Sequence, residues 1–261
     1  MTEIPNALVT GASRGVGRGV AISLSEAGFR VFATGRSIHN SSLPESVIRL
    51  RCDHLNDDDT AAVFRRIESD TGRPDVLVNS AWGGYERMVE SGSFTWPLPF
   101  WEQPGHRWTS MMDAGVRAAF VNSTRAATMM LRRHSGLIVN VSFWAARKYI
   151  GNTIYGIAKA ATDRMTADMA HELKPHGVTV VSLYPGLVRT EAVMQAAEGG
   201  WLDLSNSESP EFSGRVIAAL ARDPALAEHS GKVLVGASVA AALGVKDTDG
   251  SQPLPLTLES V

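Results

Sequence analysis

Short β-branched runs alternate with longer helical stretches from one end of the chain to the other, and no other feature restricts the fold as much. The strand candidates are residues 7–10, 30–34, 47–52, 75–79, 137–142, 179–184 and 232–235. Between them lie helical patterns at 16–27, 57–70, 107–133, 155–176 and 210–222. Runs such as Leu137-Ile138-Val139-Asn140-Val141 are almost continuously apolar, as in strands covered on both faces. The alternation predicts an α/β fold of three layers, a mostly parallel, doubly wound sheet between two layers of helices. No repeat, low-complexity tract or linker interrupts it, so residues 1–261 are read as a single domain.

Two stretches break the rhythm. Residues 82–105 are rich in Gly, Pro and aromatics, including Tyr85, Phe94, Trp96, Phe100 and Trp101. Residues 191–209 mix Met194, Trp201 and Leu202 with Gly and Ser. Loops this long in a compact domain are usually functional or disordered, and the aromatic content favours substrate loops. The tail, 247–261, carries turn and proline signals suited to surface packing.

Composition narrows the partners. A net charge of -2 gives no global electrostatic case for nucleic acid or an anionic membrane. No apolar run is long enough to span a bilayer, and the apolar stretch 7–9 leads into glycines, not into a signal-peptide cleavage site. The only cysteine, Cys52, follows an apolar run and reads as a core residue. A cytoplasmic location is therefore expected, with neither nucleic acid nor membrane as partner.

The first strand enters Thr10-Gly11-Ala12-Ser13-Arg14-Gly15-Val16-Gly17, and a helix follows. The glycines permit a tight turn and let backbone N–H groups approach a pyrophosphate, while the helix N-terminus adds positive partial charge. A Gly-rich turn alone is a weak signal; its place after the first strand makes it a dinucleotide site. The second strand ends Phe32-Ala33-Thr34-Gly35-Arg36-Ser37, without the acid that accepts bonds from an NAD ribose. Arg14 and Arg36 suit a 2′-phosphate, or else are solvated surface arginines; the first reading makes the cofactor NADP(H).

The strand 137–142 delivers Ser142 at its C-terminal end, and Tyr155-Gly156-Ile157-Ala158-Lys159 opens a helix. A Tyr and a Lys four apart share one helical face. An ammonium near a phenol is expected to lower its pKa toward a usable general acid or base. Ser142, Tyr155 and Lys159 are the expected catalytic set, with Ser142 orienting a substrate oxygen and Lys159 also reaching the nicotinamide ribose.

Through Thr10–Gly17, Asp53, Asn79, Ser142, Tyr155, Lys159 and Pro185-Gly186 with Thr190, the chain resembles the short-chain dehydrogenase/reductase family along nearly its whole length. The resemblance implies a Rossmann-like domain with a seven-stranded parallel sheet. It implies a cofactor held by Gly11, Ser13, Arg14, Gly15, Val16, Gly17 and Arg36, with Asp53 near the adenine. Asn79, Ala81, Tyr155 and Lys159 would also touch it, and Pro185, Gly186, Val188 and Thr190 would lie against the nicotinamide. It further implies a homodimer or homotetramer built through the helices at 107–133 and 155–176. Phe100-Trp101-Glu102, Ala170-His171-Glu172-Leu173 and Ser230-Gly231-Lys232-Val233-Leu234 resemble the dehydrogenase/reductase family member one branch, which implies NADPH-dependent carbonyl reduction.

Two residues depart from the family pattern. Asn79-Ser80-Ala81-Trp82 replaces Asn-Asn-Ala-Gly, and Gly115 stands where a catalytic Asn holds a water of the proton relay. Asn122, seven residues on, is too far along the helix to substitute. Gly115 either still distorts the helix so that a backbone carbonyl holds the water, or only permits close packing. No metal site is expected, because His171 and His176 are five apart with Pro175 between them. The expected function is hydride transfer between NADP(H) and a hydrophobic carbonyl or alcohol. The alternative is an NADP(H)-binding sensor or scaffold with little turnover.

Overall fold

The computed structural model describes residues 4–198 and 203–261. The sheet strands are β1 (Asn6–Val9), β2 (Arg30–Gly35), β3 (Ile48–Arg51), β4 (Val76–Asn79), β5 (Gly136–Val141), β6 (Val178–Tyr184) and β7 (Val233–Val235). They lie in the order β3-β2-β1-β4-β5-β6-β7, and every pairing is parallel. From β1 the chain first winds outward through β2 and β3, then returns to β4 on the other side. The switch between β1 and β4 opens a crevice at the carboxyl ends of the strands, where ligands bind in open α/β sheets.

The helices are α1 (Gly15–Glu26), α2 (Asp57–Thr71), α3 (Ala118–Met130), α4 (Thr153–Leu173), α5 (Glu191–Glu198), α6 (Pro210–Leu220) and α7 (Gly236–Leu243). Successive strand residues point to opposite faces, which divides the core in two. Ala7, Val9, Val31, Val78, Val139 and Leu183 face Val20 and Leu24 of α1, Phe212 and Val216 of α6, and Val239 of α7. Leu8, Phe32, Leu77, Ile138 and Val180 face Val63 and Ile67 of α2, Met130 of α3 and Leu173 of α4. Each Val, Leu, Ile, Phe or Met side chain among them, once buried, contributes about 1.5–3 kcal/mol.

Local chemistry sets the helix starts. The Asn56 side chain accepts from the Asp58 and Asp59 N–H groups, ahead of a triply acidic first turn that suits the helix dipole. Asn152 caps α4 by accepting from the Tyr155 N–H at 3.1 Å, and Ser209 caps α6 with Pro210 at the first position. Gly214 lets α6 approach α1 closely: a Cβ there would stand 2.7 Å from Val20 Cα.

Two expectations change, and one unassigned segment proves helical. Residues 107–133 do not form one regular helix; Thr109–Arg117 is a π-helix between the short turn His106–Trp108 and α3. Residues 191–209 are not all loop, because α5 opens them and Ser207–Glu208 pairs with Leu187–Val188; Trp201 and Leu202 lie outside the described residues. Gly236–Leu243, left without an assignment from sequence, is helix α7. Residues 82–105 stay largely irregular, holding a two-residue hairpin, Val89–Glu90 with Ser93–Phe94, and a 3-10 turn at Phe100–Glu102. Among the described residues no helix is long and apolar enough to cross a membrane. Cys52 is buried, and burial pushes its thiol up to about 11.

Candidate active site

The turn after β1 packs directly on the turn after β4. Gly11 has φ +67°, and a Cβ there would come within 2.6 Å of Ala81 Cα. Thr10 Oγ1 accepts from the Ser80 and Ala81 N–H groups, both at 3.1 Å, which locks the two strand ends together. Val16 and Gly17 lie in the first turn of α1, and a Cβ on Gly17 would meet the Gly11 carbonyl oxygen at 2.4 Å. Ser13 Oγ is buried without a partner among the described residues, tight against Gly35. Val188 and Thr190 follow β6, and the Thr190 methyl would lie 3.4 Å from a Cβ on Gly15. The segment 185–190 and the Gly-rich turn thus meet at the start of α1.

Charge gathers at both ends of this turn. Arg14 Nη2 and Arg36 Nη2 donate to Glu86 Oε1 at 2.9 and 2.5 Å. The Glu86 hydrogen bond raises the Arg36 pKa. Asp53, beyond β3, accepts from the Leu55 N–H at 3.1 Å and shapes its own turn. Asn79 at the end of β4 is buried and donates to Ser123 Oγ (3.0 Å) and Asn140 Oδ1 (2.8 Å). Asn140 donates in turn to Thr166 Oγ1 at 2.9 Å, and Ser182 does the same at 2.9 Å. A polar chain therefore runs beneath the crevice from β4 to β6.

Beside it, Ser142 directly follows β5, and its hydroxyl donates to the Lys159 carbonyl at 3.3 Å. Tyr155 and Lys159 rise from the first two turns of α4. Lys159 Nζ donates to the Val141 carbonyl at 3.2 Å and lies 4.2 Å from the centre of the Trp82 ring. Burial pulls its pKa down to about 8. The Tyr155 hydroxyl shares a 3.1 Å hydrogen bond with the Tyr85 hydroxyl. Trp82 and Trp96 pack edge-on to the Tyr155 ring at centroid distances of 5.8 and 5.3 Å.

Ser142, Tyr155 and Lys159 are thus brought together, but the expected lowering of the Tyr155 pKa is not found. Burial, and next the neighbouring Tyr85, push it well above the ordinary phenol value. The Lys159 ammonium is turned to the Val141 carbonyl and the Trp82 ring. Trp144, which follows Ser142 by two positions, packs edge-on to Tyr184 at a centroid distance of 5.3 Å.

The two departures from the family pattern are one steric unit. A Cβ on Gly115 would stand 2.7 Å from Trp82 Cε3 and Cζ3, so the indole fills the space a side chain at 115 would need. The Gly115 carbonyl accepts from the Ala118 N–H, as does that of Asp113. Features of both alternatives meet at Gly115: the Trp82 indole packs close against it, and it lies within the π-helical distortion Thr109–Arg117. Asn122 points elsewhere, donating to the Ala118 carbonyl at 2.8 Å.

Sequence reasoning missed several contributors. Arg107 is fully buried and staples the aromatic segment, donating to Thr95 Oγ1 (2.7 Å) and Gln103 Oε1 (3.2 Å). Tyr85 stands out in the sequence as an aromatic, but nothing local marks its hydroxyl as a partner of Tyr155, 70 positions away. Nothing in the local sequence marks Glu86 or Glu191, whose partners Arg14 and Gly15 lie 72 and 176 positions away.

Comparison with known proteins gives this arrangement its class. The family model described as short chain dehydrogenase matches residues 5–200. Dehydrogenase/reductase SDR family member 1 of Mus musculus is 38% identical over 93% of this chain and 83% of its own length. Farnesol dehydrogenase of Aedes aegypti is 30% identical over 85% of this chain and 92% of that protein. The solved structure of ElxO with NADP bound has a TM-score of 0.74 at 22% identity, covering 89% of this chain and 97% of that one. The chain belongs to the short-chain dehydrogenase family, oxidoreductases of alcohols and carbonyls that use nicotinamide cofactors. The crevice suits such a cofactor: its glycines admit a close backbone approach, and a buried Ser13 hydroxyl has its bonding capacity unused.

Proposed function

We propose that this protein is an NADP(H)-dependent carbonyl reductase or alcohol dehydrogenase, with residues 1–261 acting as one catalytic domain. The observation that carries the reading is the convergence of Ser142, Tyr155 and Lys159 beside the Gly-rich turn, with Arg14 and Arg36 clamped on one carboxylate at its far end. That two guanidiniums already share an anion supports a 2′-phosphate there, and hence NADP(H). Gly11, Ser13, Gly15, Val16 and Gly17 would hold the pyrophosphate, and Asp53 would lie near the adenine. Asn79 and Ala81 would flank the ribose side, with Pro185, Gly186, Val188 and Thr190 against the nicotinamide.

Bound nicotinamide supplies a hydride donor or acceptor at C4. In reduction Tyr155 gives its proton to the carbonyl oxygen, and in oxidation it takes one back. Its raised pKa keeps the phenol protonated near neutral pH, the form that reduction requires. Ser142 orients the substrate oxygen, while Lys159 positions the ribose and supports the phenolate once the proton has left. The rings of Trp82, Tyr85 and Trp96 around Tyr155 favour a hydrophobic ketone, aldehyde or quinone, in keeping with the name of the Aedes relative.

The test is NADPH oxidation against a panel of such carbonyls. Tyr155→Phe should lower kcat by about 10²–10⁴-fold, with NADPH affinity retained in a nicotinamide-fluorescence titration. The sensor reading has one observation in its favour, the rings and the Tyr85 hydroxyl that cover Tyr155. It prevails if wild-type protein binds NADPH tightly and neither reduces a carbonyl nor oxidises an alcohol. A homodimer or homotetramer in the cytoplasm completes the proposal; exposed Trp108 and Phe120 beside Met112 and Met165 supply an apolar face for a second copy.

A further inference from the structure

Two carboxylates of this chain already hold the donors that a phosphorylated dinucleotide needs. Glu86 Oε1 takes Arg14 Nη2 and Arg36 Nη2 together. Glu191, the first residue of α5, accepts from the Gly15 N–H at 3.0 Å and pairs with Arg18 Nη1 at 3.0 Å. This second contact reaches across 176 positions to the first turn of α1, a helix that has no acidic residue of its own in that turn. Each carboxylate is thus an anion gripped by donors at one end of the Gly-rich turn. Each also sits on a different substrate segment, Glu86 in 82–105 and Glu191 in 191–209.

We propose that Glu86 is a cofactor-discriminating residue, an internal stand-in for the 2′-phosphate, and that Glu191 stands in for the pyrophosphate, so that binding NADP(H) displaces both. The inference rests on the NADP(H) reading above. Its energetics follow from the exposures: the Arg14 side chain is 66% exposed and that of Glu86 34%, and ion pairs this solvated are weak. A phosphate carries more charge and one more acceptor oxygen than the carboxylate, so it wins the same two guanidiniums. NAD(H) has no 2′-phosphate and leaves the Glu86 clamp closed. Because Tyr85 precedes Glu86 and bonds the Tyr155 hydroxyl, release of Glu86 frees the segment that covers Tyr155. Cofactor would then bind before substrate, and NADP(H) would open that segment where NAD(H) would not.

The experiment measures Kd for NADPH and NADH by fluorescence in wild type, Glu86→Gln and Glu191→Gln. Glu86→Gln should tighten NADPH by about threefold to tenfold, the size expected for releasing one partly exposed charge cluster, and leave NADH nearly unchanged. Glu191→Gln should tighten both cofactors. In amide hydrogen exchange, NADPH should speed exchange over residues 84–90 in wild type, and NADH should not. Two failures are distinguishable. If wild type binds NADPH no better than NADH, the NADP(H) reading falls and the inference with it. If wild type prefers NADPH but Glu86→Gln binds it equally or less tightly, Glu86 is a scaffold for the arginines and the inference alone is overturned. Glu86→Ala, which leaves no acceptor at all, must follow Glu86→Gln for the proposal to stand.

Discussion

His54 stays neutral in the folded protein at pH values where an exposed imidazole would take a proton. It lies buried between Thr34 Oγ1 (2.8 Å) and Asn122 Nδ2 (3.3 Å), and burial pulls its pKa from 6.5 down to about 4. Between those values acid protonates only the unfolded chain, so stability is lost as pH falls from about 6.5 toward 4. The full difference is on the order of 3 kcal/mol. His54→Gln should cost about 1 kcal/mol at pH 7 but flatten the acid limb, read from urea midpoints between pH 7 and 4.5. An unchanged limb would assign the acid sensitivity to other groups. His54 carried no signal in the sequence, whereas Tyr155, Lys159, Ser142 and the Gly-rich turn did. The difference is one of range: a Tyr and a Lys one helical turn apart announce their shared face locally. The partners Glu86–Arg14, Glu191–Gly15 and Tyr85–Tyr155 lie 72, 176 and 70 positions apart, and nothing local encodes them.

The π-helix Thr109–Arg117 is held where the Trp82 indole wedges against Gly115. π-Segments cluster at functional sites because the extra residue per turn re-aims the side chains around it. Gly115→Asn alone should overpack this contact and cost about 1–3 kcal/mol. Adding Trp82→Gly opens the space and should recover much of that loss, a coupling of about 1 kcal/mol or more in a double-mutant cycle. Simple additivity, measured by thermal or urea unfolding, would mean that the two residues do not press on each other. From sequence the apolar periodicity of 107–133 reads as one helix, since periodicity does not register a ring arriving from another segment. Gly236–Leu243 escaped for the opposite reason: it is eight residues of Gly, Ala, Ser, Val and Leu, with neither polar face nor charged end to mark it. The central strands are legible nearly to the residue, because a sheet buried on both faces demands the mostly apolar runs that β1, β4 and β5 display.

At the scale of the molecule, the exposed rings of Trp108 and Phe120 form an apolar surface with Met112, Val116 and Met165. If copies of the chain pair through it, Phe120→Glu should shift light-scattering mass toward the monomer while leaving thermal unfolding of the protomer little altered. A wild-type mass already monomeric would remove that role from the surface. The parallel sheet has a further consequence. Since every strand runs the same way, all the groups discussed for chemistry stand on one rim, and the opposite rim is closed by contacts such as Asn6 N–H and Arg73 with Asp75. That silent rim is a natural handle. Cys52 is the chain's single cysteine and is buried, its thiol pushed up to about 11, so an exposed position at the far end of α2, such as Ser69→Cys, would offer one accessible thiol. Coupling through it would orient every molecule on a support with its crevice facing outward, making the protein suited to electrodes and sensor chips without any redesign of the site.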